Sequence, residues 1–272
     1  MAPAAMIRYD DPKQVAQKIA AAARERPLLL LLDLDGTLCE FQPEPGMVWV
    51  RGSRREALQR VIAHERITAG FVSGRRLADL RERVGLTGEI WFAGLHGLEI
   101  EGFDQRFVHK RVEEARGLLG LLARALRTQT ADLKGVLVED KELSIALHVR
   151  KAHPDDKIKA DALFLRMALP HIDDGTLRLM PGSNVSELLP NIPWTKGDAV
   201  RWIRDAEAER RGTGAPTPCA VYVGDDVTDE DAFKAVGDEG AIMVGPRPSH
   251  VPTRLESPAA VEQFLRALVE VI

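Results

Sequence analysis

The sequence predicts an α/β protein whose main sheet is parallel, and three features support this fold class. A short unbroken apolar run, residues 28–32, is typical of a strand buried on both faces of a parallel sheet, and two aspartates follow it. Further short apolar strands alternate with stretches of helical periodicity. In the middle of the chain, helix and hairpin patterns alternate instead, which indicates an inserted α+β module. We predict this insertion at 104–189, with 1–103 and 190–272 as a discontinuous core.

Composition sets limits on the kind of protein. The chain has 272 residues, 45% apolar content and a net charge of −4, which suits one large or two modest domains and gives no support for nucleic-acid binding. Cys39 and Cys219 match no metal-site spacing, so a reduced cytoplasmic protein is expected. The first residues lack a signal-peptide pattern, and no apolar run approaches the roughly 20 residues of a membrane helix. We expect a monomer without membrane or nucleic-acid partners.

The first part of the chain alternates helices and strands. Residues 11–26 are rich in alanine and other good helix formers, and 77–84 alternate apolar and charged residues at helical spacing before Gly85. The apolar runs end in turn residues, as strands do. In chain order, the predictions are helix 11–26, strand 28–32, helix 54–63, strand 67–72, helix 77–84 and strand 90–93.

The middle and the end of the chain follow two different patterns. Strict alternation around Asp140-Lys141-Glu142 and around Pro181-Gly182-Ser183-Asn184 predicts two antiparallel strand pairs. The predicted insertion contains helix 112–129, strands 135–139 and 144–150, helix 154–168, and strands 177–180 and 185–189. The parallel-sheet pattern then returns with helix 198–210, strand 220–223, a helix through Val236, strand 241–244 and helix 259–272.

Two aspartates, Asp33 and Asp35, follow the first predicted strand. Side chains alternate along an extended chain, so both carboxylates project to the same side, at the strand end where open α/β sheets bind ligands. Neighbouring carboxylates repel unless a cation or a shared proton intervenes, which favours a hard divalent metal such as Mg²⁺. The alternative is a polar turn in which both aspartates cap backbone amides, and the pair alone leaves both interpretations open.

Further element ends carry polar side chains. Ser73 lies between a strand and a helix, where it either binds phosphate or caps the helix. His96, between two glycines, either contacts substrate or bonds to a neighbouring loop. Lys196 precedes a helix, and Asp225 with Asp226 follows a strand. Parallel strand ends converge at one sheet edge, where acids, a hydroxyl and a lysine together predict metal-assisted phosphoryl transfer.

The segments around Asp33, Ser73, Lys196 and Asp225 resemble, in this order, the four motifs of haloacid-dehalogenase-type phosphohydrolases. The resemblance implies a Rossmann-like core with an inserted α+β cap of the C2B type. It implies that Asp33 is the nucleophile and that Asp35 is the general acid and base. It also implies that Asp33, the Asp35 carbonyl and Asp225 hold Mg²⁺, and that Ser73 and Lys196 bind the phosphoryl oxygens.

The same resemblance gives supporting roles to two more aspartates. Asp226 is expected to hold Lys196 or a metal-bound water, and Asp229 to support the site from behind. The implied reaction forms an aspartyl-phosphate at Asp33. Asp35 protonates the leaving oxygen and then activates the water that hydrolyses this intermediate.

A narrower set of segments is similar to trehalose-6-phosphate phosphatases. These segments are Val72-Ser-Gly-Arg75, Gly94-Leu-His96-Gly-Leu-Glu99, Glu139-Asp-Lys141, His148-Val-Arg150, Pro181-Gly182 through Glu187, and Gly224-Asp-Asp-Val-Thr-Asp-Glu230. The similarity implies substrate contacts from Arg75, His96, Glu139, Lys141 and Glu187. Carboxylates and ammonium groups suit sugar hydroxyls because each forms several hydrogen bonds. Without the resemblance, the three hairpin residues would be interpreted as surface charges.

The chain departs from this family in its second hairpin. Ser183, Asn184 and Leu189 stand where lysines and an arginine are usual, and Val149 replaces a common tyrosine. The expected function is Mg²⁺-dependent hydrolysis of trehalose 6-phosphate, a phosphorylated disaccharide. Two alternatives are a phosphatase of another glycosyl phosphate, such as glucosylglycerol phosphate or a glucosyl phosphoglycerate, and a non-catalytic sugar-phosphate sensor.

Overall fold

The computed structural model of the protein describes residues 7–42, 45–181 and 184–272. The chain divides into two compact units. The core unit comprises the chain up to Phe107 together with Trp194–Ile272, and the inserted unit comprises Val108–Pro193. The assignment of a catalytic role to one unit and of a cap role to the other stays a prediction.

Helices and strands alternate along most of the described chain. The helices are α1 (Pro12–Ala22), α2 (Gly52–Ile62), α3 (Leu77–Val84), α4 (Val112–Gln129), α5 (Pro154–Asp173), α6 (Lys196–Arg211), α7 (Glu230–Val236) and α8 (Pro258–Val271). The strands are β1 (Leu28–Leu32), β2 (Ile67–Val72), β3 (Ile90–Gly94), β4 (Glu99–Gly102), β5 (Gln105–Val108), β6 (Leu137–Asp140), β7 (Ile145–His148), β8 (Leu177–Pro181), β9 (Val185–Pro190), β10 (Cys219–Gly224), β11 (Ala241–Val244) and β12 (Thr253–Leu255).

The main sheet has the strand order β12-β11-β10-β1-β2-β3-β4-β5. β1 lies inside it and pairs in parallel with both β10 and β2, so that Leu32 is in register with Val223 and with Phe71. β11, β12 and β3 continue the parallel pairing, and β4 runs antiparallel to β3. The carboxyl ends of β1, β2 and β10 therefore lie side by side at one edge of the sheet.

The leucine run of β1 is buried because helices cover both faces of this sheet. Leu28, Leu30 and Leu32 belong to one core cluster, with side chains from α1, α2, α3 and α8. Leu29 and Leu31 belong to a second cluster, with side chains from α6 and α7. Strand alternation thus divides five consecutive leucines between two cores, which explains why the run is unbroken. The predicted α/β class with a parallel sheet is confirmed.

Three strands at the edges of the main sheet are not predicted from the sequence. β4 and β5 form the edge beside β3 and expose part of nearly every side chain, with Ile100 as the buried residue of β4. β12 forms the other edge and has three residues, Thr253–Leu255. Short edge strands carry little of the apolar periodicity on which the prediction depends.

The inserted unit contains a separate antiparallel sheet with the order β6-β7-β9-β8. One face of this sheet buries Val138, Ile145, Leu147 and Leu188, and α4 and α5 contact its outer strands. α5 continues to Asp173, beyond the predicted end at residue 168, with Pro170 inside its last turn. Nowhere in the described residues does a helix have both the length and the apolarity needed to cross a membrane.

Candidate active site

The Asp33 carboxyl group and the Lys196 ammonium group form a buried contact in the core unit. Asp33 follows β1, and its N–H donates to the Val223 carbonyl at 3.0 Å, so the pairing with β10 continues through it. Asp33 Oδ1 lies 3.0 Å from Lys196 Nζ, and the two residues are 5% and 2% exposed. Lys196 is the first residue of α6, two positions before the predicted start. Thr195 and Asp198 form the capping box that fixes this helix end.

Asp229 organises the opposite side of Lys196. Its carboxylate is fully buried, and Oδ1 accepts from Lys196 Nζ at 2.7 Å and from the Tyr222 hydroxyl at 2.6 Å. Oδ2 accepts from the backbone N–H groups of Asp225 and Asp226, each at 2.9 Å. Asp229, rather than Asp226, therefore holds Lys196. The other role expected of Asp226, which is to hold a metal-bound water, stays a prediction.

Asp225 lies against the loop that follows β1. Thr37 Oγ1 donates to Asp225 Oδ1 at 2.7 Å. Gly36 has a φ of +84°, and a Cβ there would lie 2.2 Å from Asp225 Oδ2, so this close approach requires glycine. Carboxylate oxygens of Asp33, Asp225 and Asp229 lie within 4.8 Å of one another. Because four donors already occupy Asp229, Asp33 and Asp225 are the pair that fits a hard cation such as Mg²⁺.

Burial and the crowding of carboxylates raise the pKa values of the acidic residues Asp33 and Asp225. Burial raises the pKa of Asp33 to about 8; Asp229 and Asp225 add to the rise and Lys196 opposes it. Burial also raises the pKa of Asp225 to about 6, against the hydrogen bond from Thr37. Burial disfavours the Lys196 charge, but Asp33 and Asp229 outweigh that effect and raise the pKa of the ammonium. A divalent cation at Asp33 and Asp225 would stabilise the ionised form of both carboxyl groups.

Asp35, the predicted general acid and base, forms an ion pair with Arg75. The guanidinium donates from Nε and Nη2 to the two Asp35 oxygens, at 2.6 and 2.7 Å. Arg75 Nη1 also donates to Asp79 at 2.7 Å, and Asp79 in turn accepts from Arg83. The hydrogen bonds that Arg75 donates to Asp35 and Asp79 outweigh burial and raise the pKa of the guanidinium. Arg75 is predicted to contact substrate, but in this structure it pairs with the catalytic candidate Asp35.

Ser73 and His96 meet at the ends of β2 and β3. Ser73 is 2% exposed, and its Oγ accepts from the Arg75 N–H at 3.2 Å. α3 begins after Arg76, so Ser73 is not its cap. The His96 N–H donates to the Ser73 carbonyl at 2.9 Å, and the His96 ring packs so closely on Gly74 that a Cβ there would lie 2.8 Å away. His96 thus bonds to a neighbouring loop, and its predicted substrate contact stays a prediction.

The predicted sugar-binding residues share one face of the inserted sheet. Glu139 and Glu187 are both in register with Ala146, so their side chains project to the same side. Lys141 Nζ lies 3.2 Å from Glu187 Oε1, and Ser144 Oγ also donates to Glu187. His148 Nε2 lies 2.9 Å from Glu139 Oε2. The opposite face of the sheet is apolar and buried, so this polar face is available for ligand contacts.

The atypical hairpin positions lie on β9 or just before it. Leu189 follows Glu187 by two residues and therefore lies on the polar face, where the resemblance expects an arginine. The Asn184 carbonyl accepts from the Val149 N–H at 3.1 Å. Ser183 lies outside the described residues. Leucine cannot replace the donors of an arginine, so the polar face differs from the family pattern at this position.

The fold and the acid–lysine cluster together define the protein class. A parallel sheet is covered by helices on both faces, and the ends of its central strands hold a buried lysine among carboxylates. The core unit has the fold of haloacid dehalogenase-like hydrolases. A solved haloacid dehalogenase-like hydrolase from Bacteroides thetaiotaomicron has the same fold, with a TM-score of 0.60, 16% identity, and coverage of 88% of this chain and 98% of that chain. The family model described as trehalose-phosphatase matches residues 31–265, and the chain belongs to that family.

Curated relatives agree with this assignment. The trehalose-phosphate phosphatase of Mycobacterium marinum is 39% identical over 86% of this chain and 60% of that protein. The protein of the same name from Mycobacterium tuberculosis is 36% identical over 86% of this chain and 59% of its own length. The chain thus spans about 60% of the length of these relatives. The C-terminal domain of Candida albicans trehalose-6-phosphate phosphatase shares the fold, with a TM-score of 0.72, 19% identity, and coverage of 98% and 100% of the two chains.

Several residues in or beside the cluster have roles that the sequence does not predict. The Tyr222 hydroxyl donates to Asp229. Because Tyr222 belongs to an apolar strand, the sequence indicates only a residue of the hydrophobic core. Thr37 belongs to the first motif, although its bond to Asp225 spans 188 positions of the chain. Arg247 donates to the carbonyls of Asp225 and Asp226 from a proline-bearing loop that matches no motif. These contacts follow from tertiary structure, which a single sequence does not reveal.

Proposed function

We propose that this protein is a phosphatase that hydrolyses trehalose 6-phosphate to trehalose and inorganic phosphate. One observation carries the proposal: in a chain of the trehalose-phosphatase family, the buried Asp33 carboxylate lies beside Lys196 and Asp225 at the strand ends. The mycobacterial relatives are named for this activity. We extend it to this chain as a monomeric, cytoplasmic enzyme, and the two free cysteines, Cys39 and Cys219, favour that compartment.

In the proposed reaction, Asp33 is the nucleophile. One of its oxygens bonds to phosphorus while the bond from phosphorus to the sugar oxygen breaks, which gives an aspartyl-phosphate and trehalose. Asp35, released from Arg75 and protonated from solvent, gives that proton to the departing sugar oxygen. Water then attacks phosphorus, Asp35 takes a proton from that water, and the bond to Asp33 breaks to release phosphate. Asp35 leaves its ion pair with Arg75 for these steps, and Arg75 turns to the substrate.

Positive charge near the phosphoryl group is the main contribution of the surrounding residues. Lys196 has three N–H donors, of which Asp33 and Asp229 use two, so one is available to a phosphoryl oxygen. Ser73 offers a hydroxyl to another oxygen. Mg²⁺, held by Asp33, Asp225 and the backbone carbonyl of Asp35, would screen the attacking carboxylate from the phosphate charge.

The polar face of the inserted unit is proposed to recognise the sugar. Glu139 and Glu187 accept from hydroxyl groups, and Lys141 donates to hydroxyl oxygens. In the substrate-free protein, Glu187 binds Lys141 and Ser144 while Glu139 binds His148. A sugar therefore exchanges contacts with groups that are already oriented by each other, which lowers the entropy cost of recognition.

A substrate panel tests this function. Phosphate release should be fastest, by kcat/KM, on trehalose 6-phosphate, and EDTA should abolish it. Glu187→Gln should lower kcat/KM about 10- to 100-fold, mainly through KM, because a charged hydrogen bond contributes about 1.5–3 kcal/mol. The matched control is Glu113→Gln, an exposed glutamate of α4, which should match wild type.

The same panel separates the alternatives. Leu189 stands on the polar face where the family pattern has an arginine. This observation favours a second candidate function, a phosphatase of glucosylglycerol phosphate or of a glucosyl phosphoglycerate. A higher kcat/KM on one of those esters would replace trehalose 6-phosphate as the substrate. Tight binding of trehalose 6-phosphate without turnover in Mg²⁺ would indicate a sensor.

Mg²⁺ binding should depend on pH through the raised pKa values. Asp33, with a pKa of about 8, and Asp225, with a pKa of about 6, carry protons that a cation has to displace. The apparent affinity should rise from pH 6 to pH 8, by up to about tenfold per pH unit where one proton is displaced. Calorimetry in two buffers of different ionisation enthalpy measures this proton release. Release should disappear at pH 9, and a pH-independent affinity would contradict the prediction.

A further inference from the structure

Arg247 contacts the backbone of the metal-binding candidate Asp225 from outside the cluster. It lies in the loop after β11, and its Nε donates to the Asp225 carbonyl at 3.1 Å. Its Nη2 donates to the Asp226 carbonyl at 3.1 Å and to the Glu230 carboxylate. Nη1 donates to the carbonyl of Pro248 at 3.0 Å. One planar guanidinium thus bridges two successive carbonyls, which the single nitrogen of a lysine could not do in the same geometry.

A second arginine holds Arg247 itself. Arg254, on β12, is 8% exposed. Its Nη1 donates to the Gly245 carbonyl at 2.6 Å and to the Arg247 carbonyl at 2.8 Å. The Arg254 N–H donates to Asp10 Oδ2 at 2.7 Å, and the Asp10 N–H donates back to the Arg254 carbonyl at 2.8 Å. The loop that carries Arg247 is therefore anchored to the edge of the main sheet.

The peptide groups of Asp225 and Asp226 are held from both sides. Their N–H groups donate to the buried carboxylate of Asp229, and their carbonyls accept from Arg247. With both sides of the backbone fixed, the Asp225 side chain is directed at Thr37 and toward Asp33. The Glu230 carboxylate balances the guanidinium charge, so the contribution of Arg247 to the site is geometric.

We propose that Arg247 is a positioning residue for the metal site, which it serves by fixing the backbone that presents Asp225. This inference rests on the proposed function, because it takes Asp225 as a Mg²⁺ ligand. Residues that orient metal ligands typically contribute 10- to 100-fold in metal affinity. Arg247→Met should therefore weaken Mg²⁺ binding 10- to 100-fold, while the KM for the phosphate ester at saturating Mg²⁺ stays within about twofold.

The experiment measures Mg²⁺ binding to the full chain by calorimetry, with Mn²⁺ electron paramagnetic resonance as a second readout. Arg247→Lys retains the charge and the aliphatic stem but not the planar fork, so it should bind Mg²⁺ as weakly as Arg247→Met. If Arg247→Met fails to fold, Arg247→Lys carries the test. The matched control is Arg204→Met on α6, whose arginine is similarly exposed and forms a single ion pair with Asp205.

The outcomes separate this inference from the proposed function. If wild type binds Mg²⁺, Asp225→Asn does not, and both Arg247 variants bind it like wild type, Arg247 has no positioning role although the metal site stands. A lower melting temperature with unchanged Mg²⁺ affinity leads to the same conclusion. If wild type itself does not bind Mg²⁺, the proposed metal site is wrong, and the role of Arg247 falls with it.

Discussion

Asp33→Asn is expected to abolish phosphate release, with a loss in kcat on the order of 10⁴-fold or more. An amide at this position has no anionic oxygen to bond to phosphorus, so the covalent step cannot occur. The substitution also removes one of the two carboxylates proposed to bind Mg²⁺, while Lys196 keeps its bond to Asp229. Substrate should still bind, because the sugar contacts proposed for the inserted unit are unchanged.

Phosphate release measured with trehalose 6-phosphate at saturating Mg²⁺ checks this result. Asp231→Asn is the matched control, because that aspartate is exposed and pairs with Lys234 on the surface of α7. The control should retain wild-type kcat. An Asp33→Asn enzyme with more than about 1% of the wild-type rate, once deamidation has been excluded by mass spectrometry, would show that another group is the nucleophile.

The same variant should change how stability depends on pH. The pKa of Asp33 is raised by burial to about 8 in the metal-free folded protein, against 3.8 for an ordinary aspartate. Between these values the folded state keeps a proton that the unfolded state has lost, so the free energy of unfolding falls as pH rises from about 4 to about 8. Asparagine does not titrate, and the fall should be smaller in Asp33→Asn. Urea unfolding in EDTA at pH 5 and pH 8 measures the difference.

The parts of the fold and site that the sequence predicts are those with local signals. The run Leu28–Leu32 identifies the central strand because burial on both faces forces every residue to be apolar. Asp33 and Asp35 are recognisable because they follow that strand directly. Ser73 and Lys196 are recognisable because strand and helix ends at one sheet edge converge. In each case, a few neighbouring residues carry the information.

The remainder depends on contacts between distant segments. Arg75 binds Asp35 across 40 positions of the chain. No spacing rule predicts that an arginine expected to contact substrate pairs with the proposed general acid. The choice of Asp229 over Asp226 as the partner of Lys196 depends on the path of the chain after β10, where the Val227–Asp229 turn directs the Asp229 carboxylate inward. The short edge strand β12, which carries Arg254, lacks the length that a periodic pattern requires.

Asp229→Asn should impair both stability and catalysis while it leaves the proposed nucleophile intact. The Asp229 carboxylate accepts four hydrogen bonds, from Lys196, from Tyr222 and from the N–H groups of Asp225 and Asp226. An asparagine side chain has one oxygen and one NH₂ group. The NH₂ group cannot accept hydrogen bonds, so the two donors that it faces are left unsatisfied. It also leaves Lys196 with Asp33 as its one anionic partner among the described residues. Breaking a buried ion pair in this way typically costs about 3–5 kcal/mol.

Stability and catalysis should therefore fall together in Asp229→Asn. We expect urea unfolding to report a loss of about 3–5 kcal/mol, and kcat at saturating Mg²⁺ to fall on the order of 100-fold because Lys196 and the Asp225 backbone both lose their support. The exposed Asp231→Asn serves again as the matched control, since it makes the same chemical change two residues away. Wild-type stability in Asp229→Asn would mean that the four contacts contribute little and that Lys196 is fixed by Asp33 and the α6 cap alone.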